Sequence, residues 1–544
     1  MKANFWTVGL LFLLFVAPFS LGALFVAPSE MFYTDAAIRM IGSGDYFTPY
    51  FDEDLRFQKP ILTYWWVVAA FQLFGVDYWT SRLPFLLGGL ALLWVTYRIS
   101  LLISPNQKPK AALSALVLAT HPLLILSASR AMPDLPLVLF TTWGAYGALG
   151  MLRSRGEKTQ YAYQFYLAFA LSVATKGIPG LILCALTALF MLVNPFMRLS
   201  WKRVFSPFPL MLGLLVAFGW YAYMYQLHRE VFLNEFFNDQ VGGRVIEQAH
   251  RFWVNIRRYL ITLLYAAPFL VLALWRRKKL RGWFSERAPE EKALVGIFMV
   301  WLAFFTITAP FFLIFYDRYI FSLIPLQAVL IAGVLLDLPL PKTDRWGQWL
   351  AAGLYSFTLL GLPAAFIAFW QHWVVWVGLA LNGVLGFVFR QLRRWPVQER
   401  ILWRTALALL GIWLNLGIVL IPVVHPESEK QAADYLTAEY GAALADKNII
   451  LVEWKRAAAK FRIGADGRFS FRREEDWRKI AAIKPDNLLL VLPRRHLHLL
   501  DSLPNTYKTK PISLKYRRLY QTPFLRRFMG KPRRLYVAEP QKQK

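Results

Sequence analysis

The run "ILTYWWVVAAFQLFG" at residues 61–75 decides the topology of this 544-residue chain. It is shorter than the ~20 apolar residues that a helix needs to cross a bilayer. Its Tyr64, Trp65 and Trp66 are residue types that favour the membrane–water interface. If the run crosses, every later loop changes sides, so the remaining loops must decide between the two topologies.

The composition predicts a polytopic membrane protein. The chain is 57% hydrophobic and 16% aromatic, with a mean hydropathy of +0.39, which is high for a soluble domain. A formal charge of +29 would suggest nucleic acid in a soluble chain. Here Lys and Arg gather between apolar runs, where they orient helices and contact anionic headgroups, so no nucleic-acid partner is expected. The single cysteine, Cys184, excludes an intramolecular disulfide.

Apolar runs of spanning length predict an all-α membrane region with about thirteen crossings. The first run follows a short basic start and lacks a good small-residue cleavage site, so we expect it to be retained as a helix. The runs lie near 5–26, 82–104, 110–128, 134–152, 160–175, 178–196, 207–226, 256–275, 292–310, 318–338, 347–370, 372–390 and 402–424.

The basic loops settle the position of 61–75. If this run lies on the surface without crossing, the most basic short loops all fall on one side, as cytoplasmic loops should. These loops are "LRSRGEK" (152–158), "MRLSWKR" (197–203), "WRRKKLRGWFSER" (275–287), "PKTDR" (341–345) and "RQLRRWPVQER" (390–400). We therefore expect a cytoplasmic N-terminus, a surface helix at 61–75 and an outer C-terminus.

Two domains are expected. Residues 1–425 form the membrane domain, with a first outer loop at about 27–81. Residues 426–544 alternate short apolar runs with charged stretches, which is typical of a small soluble α/β domain. We expect this domain on the outer face, and we expect the acidic stretch at 52–54 of the first loop to be exposed.

Polar groups gather at the predicted outer face. Ionisable groups at the edge of an apolar slab are costly there, so they indicate a site or a lipid-phosphate contact. These groups are Glu30, Asp35, Arg56, Lys59, Arg130, Asp134, Lys176, Arg244, His250, Asp317, Arg318 and Tyr319. The alternatives are ordinary ones: a single Arg or Lys near a helix end commonly snorkels, and Asp317 with Arg318 forms a plausible local ion pair. Asp134, between Pro133 and Pro136, would need a cation such as Arg130 or a chemical role.

A carboxylate beside several cations suits glycosyl transfer from a lipid phosphate. A base takes the proton from the acceptor hydroxyl, and fixed cations stabilise the charge that grows on the departing phosphate. Because that phosphate leaves as a stable anion, the reaction requires no general acid.

The first loop resembles that of the bacterial membrane glycosyltransferases related to the lipid A aminoarabinose transferase and, more distantly, to the protein O-mannosyltransferases. These enzymes have the type C glycosyltransferase (GT-C) fold. The matching residues are Glu30, Tyr33, Ser43-Gly44-Asp45 and Lys59-Pro60. The later stretches "RAMPD", "TKG", "FF...GR" and "DRY" follow in the order of the family, and the resemblance covers about residues 1–425.

The resemblance implies an inverting transferase of the bacterial inner membrane that needs no cofactor or metal. Its donor would be a sugar on a polyprenyl phosphate such as undecaprenyl phosphate. Its acceptor at the periplasmic face would be lipid A, another envelope glycan or a protein. Asp134 and Glu30 match the catalytic carboxylates of the family, and Asp35 is the alternative base. The donor-phosphate set comprises Lys59, Arg244 and Tyr319, extended by Arg318, Lys176, Arg130 and His250.

Two residues depart from the family pattern. Ser29 stands where the family has the Asp of its Asp-Glu pair, which weakens the assignment of the base, and Gln58 replaces the Glu before Lys-Pro.

The rival function from another class is a transporter or flippase for a lipid-linked or anionic substrate. A transporter is usually expected to have charged or broken helices at mid-membrane depth, whereas the polar groups here lie at one face.

Overall fold

The structure, a computed structural model, is predominantly helical. It describes residues 4–21, 29–52, 54–237, 250–274, 282–312, 314–338, 345–369, 373–424, 428–452, 455–465, 469–474, 476–483, 487–512 and 534–541.

Most helices of the membrane region overlap the predicted apolar runs. Its helices are α1 (Phe5–Leu21), α2 (Met31–Ser43), α3 (Leu62–Phe74), α4 (Tyr78–Ile103), α5 (Lys108–Ala119), α6 (Pro122–Ala128), α7 (Asp134–Arg153), α8 (Thr159–Lys176), α9 (Ile178–Val193), α10 (Trp201–Val204), α11 (Pro207–Phe237), α12 (His250–Leu263), α13 (Phe269–Leu274), α14 (Pro289–Thr308), α15 (Ile324–Asp337), α16 (Arg345–Phe369), α17 (Trp373–Gln391) and α18 (Val397–Val424). Short 3₁₀ segments cover Leu264–Ala266, Ala309–Phe311, Asp317–Leu323 and Leu392–Arg394. The predicted run 256–275 is divided between α12 and α13, and the run 110–128 between α5 and α6.

Five helical stretches of the described chain are long and apolar enough to cross a membrane. They are Tyr78–Ile103, Asp134–Arg153, Pro207–Phe236, Pro289–Phe311 and Asp317–Asp337. The pair α5 and α6, bent by 69°, counts as a sixth span if the two helices cross together. The protein is therefore a multi-pass membrane protein. Helix α3 has 13 residues, fewer than a crossing needs; its position on the membrane surface stays a prediction.

By internal contacts the chain divides into two compact units. The first comprises Met1–Ser20, Arg56–Thr63 and Pro84–Ile418, and the second comprises Leu21–Leu55, Tyr64–Leu83 and Val419–Lys544. Most of the predicted first outer loop therefore groups with the C-terminal segment.

Within the first unit, α7 and α8 pack closely because glycines face the contact. A Cβ added at Gly147 would lie 2.5 Å from the backbone nitrogen of Phe165, and one at Gly144 would lie 2.4 Å from the Phe169 ring. Small residues of this kind allow membrane helices to approach each other. Phe165 and Phe169 are fully buried in the resulting core, which fixes the relative position of the two helices.

The second unit contains a five-stranded sheet. Strands β1 (Tyr50–Phe51) and β2 (Asp54–Leu55) form a small hairpin, whereas β3 (Asn448–Leu451), β4 (Arg472–Arg473), β5 (Leu488–Pro493), β6 (Tyr507–Pro511) and β7 (Leu535–Pro540) form the sheet. Its order is β4-β3-β5-β7-β6, with β3 parallel to β4 and β5 and the other pairs antiparallel. Every residue of β5 is buried, as expected for a central strand covered on both faces.

Three helices accompany this sheet: α19 (Ser428–Tyr440), α20 (Lys455–Gly464) and α21 (Trp477–Ala481). 3₁₀ segments cover Gly441–Asp446 and Arg494–Ser502. Helix α2 packs against α20, where Met31 and Ala459 are buried together. The C-terminal α/β composition predicted from sequence is thus present in the described residues.

Candidate active site

The carboxylate of Asp134 lies at the first residue of α7. Pro133 precedes the helix and Asp134 is its only acidic first-turn residue. A helix N-terminus favours negative charge because its peptide dipoles leave a partial positive charge there. The residue is only 3% exposed, so its charge must be compensated by neighbouring groups.

The first compensating group is Lys176, the last residue of α8. Gly177, at φ 78°, ends this helix in a conformation that disfavours other residues. The Lys176 Nζ donates to Asp134 Oδ1 at 2.5 Å, and Lys176 is itself buried. The close packing of α7 on α8 therefore places a buried ion pair at the ends of two helices.

The second compensating group comes from the 3₁₀ segment Asp317–Leu323. Its Arg318 places Nε 3.6 Å from Asp134 Oδ2, with about a third of its side chain exposed. The guanidinium lies 4.6 Å from the centroid of the Tyr316 ring, and the ring of Tyr319 lies 5.6 Å from the Lys176 ammonium. These aromatic faces orient both cations without neutralising them.

Lys59 adds a third positive charge. Its Nζ donates to the carbonyl of Gln58 at 2.6 Å, and its charge acts on the Asp134 carboxylate together with those of Lys176 and Arg318. Three cationic side chains thus act on one carboxylate. Such an arrangement can hold an anion beside a carboxylate.

Among the described contacts, Asp317 is not the partner of Arg318, which was the ordinary alternative to a functional role for these two residues. Its Oδ2 accepts a hydrogen bond from the Tyr265 hydroxyl at 2.6 Å, which leaves the contact of Arg318 with Asp134 as its described ion pair. The cations that contact Asp134 are Lys176 and Arg318, whereas the sequence suggested Arg130. Arg130 is half-buried in the loop between α6 and α7.

Glu30 has a buried partner in its own unit. Both of its carboxylate oxygens accept from Arg82, Oε1 from Nε at 2.8 Å and Oε2 from Nη2 at 2.9 Å. Both side chains are fully buried. This bidentate geometry is the strong form of a carboxylate–guanidinium contact, and it joins the start of α2 to the start of α4.

Asp35 and Asp52 form an ion cluster with arginines of the C-terminal segment. Asp35 is buried, accepts from the backbone N–H of Asp52 at 2.7 Å and pairs with Arg462. Asp52 pairs with Arg473 and lies 3.3 Å from Arg39. The expectation that residues 52–54 are all exposed is wrong for Asp52, which is 1% exposed, because these cations enclose it.

The structure does not describe two of the predicted donor-phosphate groups. Arg244 lies outside the described residues. His250 begins α12, but its side chain is outside what the structure describes.

Three residues near these sites were not predicted from the sequence to have a functional role. Arg82 lies in the apolar run of α4, where a charged residue is itself a signal of a buried partner. Tyr265 and Tyr316 have no such signal, because a tyrosine near the interface is common. Among the described residues no three His, Cys, Asp or Glu side chains converge.

Part of the chain matches the sequence model of a known family. Residues 58–223 match the model of the dolichyl-phosphate-mannose-protein mannosyltransferase family. This match includes Lys59, Asp134 and Lys176, three of the groups around the candidate site.

Two curated relatives cover about half of the chain or less. An uncharacterized protein of Aquifex aeolicus is 28% identical over 58% of this chain and 61% of its own length. The undecaprenyl phosphate-alpha-4-amino-4-deoxy-L-arabinose arabinosyl transferase 1 of Proteus mirabilis is 28% identical over 31% of each chain. The chain thus matches less than two thirds of the length of these relatives.

A solved structure matches over nearly the full length. ArnT from Cupriavidus metallidurans, bound to undecaprenyl phosphate, is 19% identical and has a TM-score of 0.69, with 98% of this chain and 97% of that chain covered. The structural similarity over nearly the whole chain establishes the shared fold and, at this low identity, the fold alone. The chain is therefore a GT-C-type protein that resembles the lipid A aminoarabinose transferases.

Proposed function

We propose that this protein is an inverting glycosyltransferase that moves a sugar from a polyprenyl phosphate to an envelope acceptor. The observation that carries the proposal is the buried Asp134 carboxylate, contacted by Lys176 and Arg318 and acted on by the charge of Lys59. The similarity to aminoarabinose transferases supports the same chemistry.

Asp134 is the proposed base. A carboxylate offers about four lone-pair positions, so the contacts to Lys176 and Arg318 leave room for an acceptor hydroxyl. As this hydroxyl attacks the anomeric carbon, its proton passes to Asp134 and the bond to the donor phosphate breaks. A single displacement inverts the configuration at that carbon.

The surrounding cations hold the departing phosphate. Lys59 and Arg318, with the buried Lys176, supply positive charge where negative charge grows in the transition state. Tyr319, Arg130, Arg244 and His250 belong to the same proposed donor set. The polyprenyl phosphate leaves with both electrons of the broken bond and needs no proton.

Glu30 and Asp35 remain in the proposal as supporting carboxylates. Both carboxylate oxygens of Glu30 accept from the guanidinium of Arg82 in a fully buried pair, and Asp35 is bound to Arg462 and to the backbone of Asp52. These contacts favour Asp134 as the base.

The proposed setting is the bacterial inner membrane with the site on the periplasmic side. The membrane domain of residues 1–425 would cross about thirteen times, and residues 426–544 would form a periplasmic domain. This orientation is supported by the sequence, since it is the one that places the most basic short loops together on the cytoplasmic side.

The first donor to test is undecaprenyl-phosphate-linked aminoarabinose, the substrate class in the name of the Proteus mirabilis relative. The acceptor panel is lipid A, an envelope glycan and protein. Transfer is measured with labelled sugar and purified full-length protein in lipid nanodiscs.

Asp134→Asn should lower the transfer rate at least about a hundredfold, the usual scale of general base catalysis. The matched control is Glu290→Gln, which removes a carboxylate from the first turn of another spanning helix, α14, and should leave transfer unchanged. Equal rates for Asp134→Asn and the wild-type protein would refute the assignment of the base.

Sealed vesicles that contain the purified protein distinguish the rival function, because their inner and outer leaflets face separate compartments. If labelled lipid crosses the bilayer while no sugar is transferred to any acceptor, the protein is a transporter and the transferase proposal fails.

A further inference from the structure

A cavity lies at the end of α7 that is far from Asp134. It has a volume of about 550 Å³ and is lined by residues at the C-terminal ends of α4 and α7 and at the start of α1. Helix α7 has 20 residues, so its ends are ~30 Å apart. That distance equals the thickness of the hydrocarbon core, so this cavity and Asp134 belong to opposite faces of the membrane.

The cavity is cationic. Arg98, Lys108 and Arg153 line it, and none of the described residues that line it is acidic. Its volume falls within the ~300–1,000 Å³ of small-molecule sites. A ligand that balances this charge must be an anion.

Aromatic rings orient one of the cations toward the cavity. The guanidinium of Arg98 lies 5.5 Å from the centroid of the Trp94 ring and 6.0 Å from that of Tyr146. Its Nη2 donates to the Tyr146 hydroxyl at 3.4 Å. Arg153 donates one hydrogen bond to the carbonyl of Leu102. None of these contacts neutralises a charge.

An apolar slot adjoins the cationic cavity. This second space, about 400 Å³, shares Trp94, Arg98 and Tyr146 with it and extends along Leu139 and Trp143 of α7. Leu139 is 14 residues from Arg153, which corresponds to a depth of ~20 Å in the membrane. Cations at a membrane face followed by an apolar slot match a lipid, with a charged headgroup and a long chain.

Ordinary anchoring explains part of this arrangement. Cations at helix C-termini interact favourably with the helix dipole, and arginines at a cytoplasmic face orient the helices. Neither effect requires a cavity, an aromatic support for the guanidinium or an adjoining apolar slot.

We propose that this cavity binds an anionic diacyl phospholipid. The phosphodiester lies between Arg98 and Arg153, near Lys108, and one acyl chain occupies the slot between α4 and α7. The lipid would join the start of α1 to α4, α7 and α8. Because it binds the folded protein, it would raise the melting temperature as its concentration exceeds the dissociation constant. The proposal does not depend on the transferase activity.

The test is native mass spectrometry of the full-length protein titrated with lipids of identical chains. Phosphatidylglycerol should bind at least about tenfold more tightly than phosphatidylcholine. The double variant Arg98→Gln/Arg153→Gln should reduce phosphatidylglycerol binding to the phosphatidylcholine level. The matched control is Lys158→Gln/Lys202→Gln, which removes two exposed cations that do not line the cavity and should bind like the wild type.

Three further measurements keep the proposal open to refutation. Arg98→Lys/Arg153→Lys retains the charge and should recover most of the binding, which separates a lost headgroup contact from a misfolded variant. Soluble glycerol phosphate should bind at least about tenfold more weakly than the lipid, because it cannot fill the slot. Undecaprenyl phosphate should not displace phosphatidylglycerol.

Four results would overturn the proposal. They are equal binding of the two phospholipids, equal loss in the control variant, tight binding of glycerol phosphate and displacement by undecaprenyl phosphate. The last result would assign the cavity to polyprenyl phosphates instead.

Discussion

Asp134 shows how one residue combines backbone and side-chain electrostatics. The start of α7 provides the positive end of a helix, and two different elements bring Lys176 and Arg318 to its carboxylate. Lys176 is buried whereas Arg318 is partly exposed. We therefore expect Lys176 to position the carboxylate and Arg318 to contact the donor.

Arg318→Ala should raise the KM for the polyprenyl-phosphate donor by about 10- to 100-fold, because a hydrogen bond to a charged group contributes ~1.5–3 kcal/mol. The kcat should fall as well, because Arg318 also stabilises the negative charge that grows on the phosphate in the transition state. Arg318→Lys should recover part of the affinity. Steady-state kinetics in nanodiscs measure both constants, with Lys202→Ala as the control. A fall in kcat at constant KM would contradict a role in donor binding.

The Glu30–Arg82 pair predicts a strong dependence of stability on both partners. Arg82→Met should destabilise the protein by about 3–5 kcal/mol, since it removes the bidentate partner of the buried Glu30 carboxylate. The double variant Glu30→Gln/Arg82→Met should be more stable than Arg82→Met alone. Thermal unfolding in detergent measures the difference. A double variant that is no more stable than Arg82→Met would show that the two residues do not act as a pair.

At the scale of elements, the contact of α7 with α8 fixes the geometry of the candidate site. Asp134 begins α7 and Lys176 ends α8, so a small change in how these helices pack moves the two charges relative to each other. Among the glycines of α7, Gly147 is the one whose added Cβ would meet backbone atoms of α8. Its substitution is therefore a test of the packing.

Gly147→Ala should destabilise the protein by about 1–3 kcal/mol, the usual cost of overpacking, because the added Cβ would meet the backbone of Phe165 at 2.5 Å. It should also lower sugar transfer. Gly219→Ala is the matched control: no atom lies within 4 Å of the added Cβ, and alanine is the better helix former. Melting temperatures that fall equally in both variants would show that the close approach is not the cause.

The sequence predicts the helices better than the contacts between them. Hydropathy locates α4, α7 and α14 because spanning segments must be long and apolar. The alternation of crossings also predicts that the ends bearing Asp134 and Lys176 share a face. The distances between side chains depend on how the helices pack. The hydropathy pattern therefore predicts neither the pairing of Asp134 with Lys176 nor that of Glu30 with Arg82.

At the scale of the whole molecule, the topology is the prediction with the widest consequences. We expect Lys158→Cys to react with a membrane-impermeant maleimide only after permeabilisation, and Asp501→Cys to react in intact spheroplasts. Both positions are exposed, and the background is Cys184→Ser, which removes the single native thiol. Labelling of position 158 from the outside would reverse the topology and with it the proposed face of the site.

The burial of Asp52 in the second unit could not be predicted from the sequence. Asp52 lies in a loop of polar residues, and local composition predicts exposure. Its burial depends on Arg473, which follows 421 residues later in the chain. No local pattern carries information about a partner at that distance.

The same separation has a consequence for biosynthesis. A ribosome adds about 5–20 residues per second, so roughly 20–80 s pass between the synthesis of Asp52 and that of Arg473. During this interval the first loop is already made, while Arg462 and Arg473, which enclose Asp35 and Asp52 in the folded protein, are not. The loop is therefore among the last parts of the chain to reach its final structure, and a nascent chain arrested before residue 462 should expose it to added protease.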